Sequence, residues 1–392
     1  TINDIPEEYR NPAALGEGVD WYDAVLQVAP LTDVNVSFSG GNENVRSFVS
    51  AGYLNQEGVM LNSGFDRFSI RANVEGNLAN KLKLGMNINP TLSYLEGGIN
   101  GQGGDGFFEI TTPAGKICSD DGSFVPYIQS PGTFGNPNPV MFLEQRKNKS
   151  SKLKLLMSTF AEYSFMTNLK FKTTFNVDYQ DESGDTFRPS TIPNQNASGL
   201  SIPSGSTWRG SYLNWANENT LNYDYSSDNG HTISALAGYS IQMQKNRNSN
   251  FNGSQFPDDD IQTLNAAARI TGGTGMQDWG LISYLARVNY SYLDRYILTA
   301  SYRADGSSRF GKDNRWGSFP SVAVGWRLSE EDFLKDKEWI NELKLRASYG
   351  RSGNFNIANY ASLSGIGTAN YVFGGKLAPG RTMNSLGNSY LG

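Results

Sequence analysis

Few residues in this chain have the types and spacing that bond-making chemistry needs. Gly101-Gln102-Gly103-Gly104-Asp105-Gly106 satisfies G-x-G-x-x-G, a pattern that cradles a pyrophosphate only when it follows a strand and opens a helix. The residues after it, Phe107-Phe108-Glu109-Ile110-Thr111-Thr112-Pro113, do not start a helix, so the run is read as a flexible loop. His231 is the sole histidine. A Ser-His-Asp triad or a histidine-built metal site would have to use it, and it falls in a short polar turn. Asp120-Asp121-Gly122 and Asp258-Asp259-Asp260 offer oxygen ligands but lack EF-hand spacing, and are read as solvated acidic loops. A single cysteine, Cys118, excludes an internal disulfide framework and any CxxC site. The expectation is a protein that is not an enzyme, with no catalytic residue, cofactor or metal.

Two other residue sets suit binding rather than bond-making. Phe107, Phe108, Tyr127, Phe134, Trp208, Trp279 and Tyr371 fall in long connections. Sugar faces stack on such rings while Asn and Asp bind hydroxyls, so these residues are the substrate-binding candidates; packing within the loops is the competing role. Arg71, Lys83, Lys154, Lys170 and Lys172 sit on the polar faces of alternating strands. On a lipid face each would cost about 2–4 kcal/mol at the midplane, so they are expected to face a lumen.

The elements that carry these residues are long and alternating. Residues 81–94 place Leu82, Leu84, Met86, Ile88, Pro90, Leu92 and Tyr94 on one face, with Lys, Gly, Asn, Thr and Ser between them. Successive side chains of a strand point to opposite faces. This segment is therefore greasy on one side, wet on the other, and long enough to cross a bilayer, which takes about 9–11 tilted residues. Segments around 33–39, 67–77, 153–165, 169–179, 209–225, 232–244, 281–292, 296–303, 321–328 and 342–350 repeat the pattern.

Short links alternate with long ones at 95–150, 180–208, 245–280, 305–319 and beyond 351. Membrane barrels have this asymmetry, with short periplasmic turns and long extracellular loops. The expected fold is all-β: an antiparallel transmembrane β-barrel of up-and-down hairpins, incomplete at about twelve strands. Residues 1–30 form an irregular segment entering it, and 31–392 the partial barrel.

Composition agrees. Mean hydropathy is −0.46, as expected where a lipid face averages against a polar lumen. No apolar run approaches the ~20 residues of a membrane helix. Gly 43, Tyr 20, Phe 21 and Trp 7 suit strands, tight turns and interfacial rings. A net charge of −5 argues against a nucleic-acid partner. The chain begins at Thr1 without the charged and apolar regions of a signal peptide.

Arg303-Ala304-Asp305-Gly306-Ser307-Ser308-Arg309-Phe310-Gly311, with Trp316-Gly317-Ser318-Phe319-Pro320-Ser321, resembles the SusC/RagA family of TonB-dependent outer-membrane transporters. Residues 45–58 (Val-Arg-Ser-Phe-Val-Ser-Ala-Gly-Tyr-Leu-Asn-Gln-Glu-Gly), Asp20-Trp21-Tyr22-Asp23 and 343–350 (Leu-Lys-Leu-Arg-Ala-Ser-Tyr-Gly) are similar to that family as well. The resemblance implies a bacterial outer-membrane location and uptake of glycan or peptide. It also implies coupling to TonB through a plug, a SusD-type surface lipoprotein as partner, and outer-membrane lipid around the wall. No TonB box or plug motif is visible, so the chain is expected to be a barrel fragment. A passive porin-like channel and a surface adhesin or lectin-like β protein are the alternatives.

Overall fold

Alternation fixes which side of each strand is apolar; pairing decides whether those sides join. A computed structural model describes residues 10, 11, 13, 16–97, 111–129, 135–193, 201–337, 339–388, 390 and 391. Helix α1 (Trp21–Val25) precedes β1 (Leu31–Gly41), β2 (Val45–Glu57), β3 (Gly64–Ala79) and β4 (Leu82–Glu96). Two short strands, β5 (Tyr127–Ile128) and β6 (Asn136–Pro137), and helix α2 (Pro139–Gln145) follow. Then come β7 (Lys147–Met166), β8 (Leu169–Arg188), β9 (Ser204–Ser226), β10 (His231–Ser254), β11 (Arg269–Tyr292), β12 (Tyr296–Ser307), β13 (Trp316–Arg327) and β14 (Lys344–Gly350). A separate hairpin, β15 (Gly365–Phe373) and β16 (Lys376–Ser385), ends the order.

β1–β4 and β7–β14 form one twelve-stranded sheet in chain order, each strand antiparallel to the next. This is the expected up-and-down meander. It is open: β1 and β14 are its edges.

The register carries one parity across the whole sheet. Lys83 of β4 lies opposite Glu162 of β7, Glu162 opposite Lys172 of β8, and Lys172 opposite Thr220 of β9. The row continues through Gly238, Leu285, Arg303 and Phe319. On the other face Ala72, Ile88, Met157, Val177, Trp215 and Met243 form one row. A slip of one residue at any pair would turn every later apolar face around.

The apolar face forms a belt with sharp limits. Beyond Tyr94 and Leu153, Glu96 pairs with Lys149 at 2.6 Å. Beyond Tyr179 and Leu213, Asp181 pairs with Arg209 at 3.1 Å. Beyond Met243, Arg247 pairs with Asp278 at 2.6 Å. At the opposite limit Tyr292, Tyr296 and Trp326 stack in series with 6.4 Å between ring centroids, as in an interfacial aromatic girdle. Between these limits the outward face of β4 and β7–β13 carries no Asp, Glu, Lys or Arg among the described residues. Asn217 and Asn219 are polar exceptions. Asn219 donates to Asn217 at 2.7 Å, and Asn217 donates to the Thr173 hydroxyl and the Thr174 carbonyl. Satisfying one another lowers the cost of facing hydrocarbon.

Buried side chains concentrate at the long-loop rim. Trp21, Val25, Ile128 and Val140 form a small core. Asn138, fully buried, caps α2 through the Val140 and Met141 amides and donates to the Ile117 and Val125 carbonyls. Leu26 bridges Met60, and the Gln27 amide donates to Val59 at 2.8 Å. The segment before β1 therefore docks at the long-loop end of the sheet.

Placing an arginine at the middle of the belt tests this geometry. Phe175→Arg should lower unfolding free energy in lipid vesicles by about 2–4 kcal/mol, whereas Asn176→Arg, one residue along on the inner face, should cost far less. Urea titration of the vesicle-embedded protein measures both.

Candidate functional site

The strands of β8–β11 do not stop where the belt stops. They run on to Arg188, Ser204, Ser254 and Arg269. The connections expected at 180–208, 245–280 and 305–319 therefore shrink to 189–203, 255–268 and 308–315. Above the lipid no apolar face is required, so alternation fades although ladder pairing continues. This changes the setting of two candidate rings: Trp208 lies on β9 and Trp279 on β11, not on loops. Tyr127 lies on β5 and pairs with Pro137. Tyr371 lies exposed on β15. Phe107, Phe108 and Phe134 lie outside the described residues.

Arg71, Lys83, Lys154, Lys170 and Lys172 share the inner parity. Lys83 pairs with Glu75 at 2.8 Å. Lys83 and Lys172 also approach the Phe160 ring, at 6.0 and 4.5 Å from its centroid. That ring lies across Gly85, where a Cβ would meet it at 2.1 Å. Arg71 borders an open hollow of about 650 Å³ whose other walls include Asn73, Asn87, Asn176, Asp178 and Asn214. The inner wall is thus rich in amides, with part of its charge neutralised locally.

Trp279 is closed off. It is only 6% exposed. The Arg309 guanidinium lies 4.6 Å from its ring centroid, and the Phe355 ring 5.7 Å. Arg309 Nε donates to Asn359 at 2.8 Å, and its Nη1 to the Phe355 carbonyl and Asn356, both at 3.3 Å. Tyr360 Oη accepts from the Asp278 amide at 2.9 Å. Arg309 therefore fastens residues 355–360 against the upper part of β11, and no sugar can stack on Trp279 while that clamp holds. Arg309 stood in the sequence as part of a family-like motif; its partners come from a distant segment that local spacing does not reveal.

The other candidates have structural partners. His231 opens β10 rather than lying in a turn; its Nδ1 is 2.9 Å from Tyr290 Oη, and its ring packs on Tyr292. Asp259 accepts from the Ser190 amide and hydroxyl, joining two rim connections. Asp121 accepts from Ser123. Both donors hold its carboxyl below the usual range. Cys118 is exposed and bridges Phe124.

At the opposite rim Glu331 gathers the girdle. Trp326 Nε1 and Tyr296 Oη donate to its Oε1 at 2.9 and 2.7 Å, and Arg295 stands 3.4 Å from Oε2. The Trp326 and Tyr296 donors lower its pKa from the ordinary 4.5.

Two outcomes follow from these clusters. Arg309→Ala should speed amide exchange across 355–360, with about 1–3 kcal/mol lost from local opening. Arg309→Lys should not restore protection, because lysine lacks the planar fork. Exchange measured by mass spectrometry reads both. For Glu331 the folded pKa is depressed, so its contribution is complete above pH 4.5 and is lost as pH falls through the folded value. Glu331→Gln should remove that acid-dependent part, read from urea midpoints at neutral and acid pH.

Comparison with known proteins agrees with this geometry. Residues 87–386 match the family model described as TonB dependent receptor-like, beta-barrel. TonB-dependent receptor P26 of Formosa agariphila is 32% identical over 389 residues, covering 95% of this chain and 38% of that protein. TonB-dependent receptor SusC of Bacteroides thetaiotaomicron is 28% identical, covering 89% and 36%. The structure of the RagAB peptide transporter superposes with a TM-score of 0.79 at 24% identity, covering 96% of this chain and 42% of that one. The chain spans less than half the length of these relatives. It belongs to the TonB dependent receptor-like β-barrel family of bacterial outer-membrane proteins.

Proposed function

We propose that residues 31–392 form part of the wall of a nutrient importer, with residues 1–30 leading into it. In the intact receptor, cargo is captured at the long-loop rim and moved inward under TonB coupling. A SusD-type surface lipoprotein cooperates in capture, and the cargo is a glycan or a peptide. The observation that carries this reading is the two-faced sheet. Among the described residues, an outward belt without Asp, Glu, Lys or Arg on β4 and β7–β13 backs an inner wall of amides, hydroxyls and locally paired charges. Such a wall can be wetted by lipid on one side and by a polar solute on the other. Rim strands that stand well beyond the belt add surface for capture outside the membrane.

A passive channel shares the two-faced wall but needs no energy. The two differ in one measurement, uptake of the receptor's cargo by cells with and without a protonophore, and with and without TonB. Coupled import predicts that uptake collapses in both treatments. Uptake unchanged by either would leave the channel in its place.

A further inference from the structure

The inner face of β10 carries a carboxamide at every second position from the belt to its rim end: Gln242, Gln244, Asn246, Asn248, Asn250 and Asn252. Its lower members are engaged within the wall. Gln242 donates to Asn214 at 3.1 Å, and Gln244 accepts from Tyr212 at 3.3 Å. Asn248, Asn250 and Asn252 are exposed and make no side-chain hydrogen bond among the described residues. Their neighbours leave them room. Asn248 lies opposite Gly210 and Gly275, and Asn250 opposite Gly273.

The other partner of Asn250 is Trp208. Its indole lies across Gly184, where a Cβ would come within 2.6–2.8 Å of three ring atoms. The ring thus rests on the bare backbone of β8, half-buried, without the clamp that covers Trp279. The carboxylate nearest on β8, Glu182, is paired with Lys152 at 3.2 Å.

We propose that this stretch of inner wall binds an uncharged glycan, with Trp208 as the stacking platform and Asn248, Asn250 and Asn252 as the hydroxyl-binding rail. The proposal rests on the import reading and narrows its cargo. Each amide both donates and accepts, as does each sugar hydroxyl, and an indole gives the apolar face of a pyranose a flat surface. An extended peptide usually gains affinity by pairing with a free strand edge. Here β9 and β10 have both edges occupied. The amides stand on the face of the sheet; the one charged side chain beside them on β11 is Arg269, opposite Ser254 at the rim end of the row.

The test uses the intact receptor in detergent, titrated by calorimetry. The probes are neutral hexasaccharides (maltohexaose, cellohexaose, xylohexaose and mannohexaose), with polygalacturonate and a Gly-Ser-Ala decapeptide as comparators. At least one neutral hexasaccharide should bind. Trp208→Ala and the triple change Asn248→Ala, Asn250→Ala, Asn252→Ala should each weaken it by about tenfold or more, whereas Ser249→Ala, on the opposite face of β10, should leave it unchanged. Heat-modifiable gel mobility verifies folding, and Asn250→Ala alone serves if the triple variant does not fold.

The glycan site is overturned if no neutral hexasaccharide binds, if the decapeptide binds in preference, or if neither change on the inner face weakens binding. Protonophore-sensitive uptake is measured separately, so the glycan site can fail while the import reading stands, and the reverse.

Discussion

A bilayer offers no water to a peptide group, so every N–H and C=O at membrane depth must find its partner on a neighbouring strand. This constraint organises the molecule. It requires a continuous antiparallel ladder, and the ladder makes side-chain parity a property of the whole sheet rather than of each strand. Twelve strands keep one register sense. That is why lysines far apart in sequence share a face, and why the outward face can remain uncharged through the belt. The β3–β4 and β7–β8 hairpins do skip one residue, Leu78 and Phe165, but only at the turn itself, so the parity of the strands beyond it is kept.

The same ladder explains the rim. Once a strand leaves the hydrocarbon, its outward side chains are free to be charged, and ion pairs appear there at once on β4, β7, β8, β9, β10 and β11. Exposed pairs of this kind add little stability, about 0–1 kcal/mol each. Their position nevertheless marks where lipid ends. Beyond it the wall consists of backbone pairing, glycines and amides, and it is there that the inner face becomes available to a solute. Arg309 shows the alternative use of the same region. A guanidinium on an indole, with three polar partners from residues 355–359, converts a ring that looked like a binding platform into an anchor.

The sequence alone determined the class of fold and which residues of each strand share its apolar face. Period-two alternation of Leu82 through Tyr94, or Phe171 through Tyr179, is imposed residue by residue by lipid and water, so it is written locally. It also misplaced the strand ends. Residues 180–188 and 245–254 have no apolar face to alternate, yet their backbones pair fully. Tertiary structure decided what depends on partners remote in the chain. Trp208 and Trp279 are equivalent as composition, but one rests on Gly184 and stays accessible while the other is sealed by Arg309 and Phe355. His231 and Asp259 likewise acquired their roles from Tyr290 and Ser190. Solvent sets a pattern that any single strand can display; contact requires two segments to arrive at the same place, and only the folded sheet brings them there.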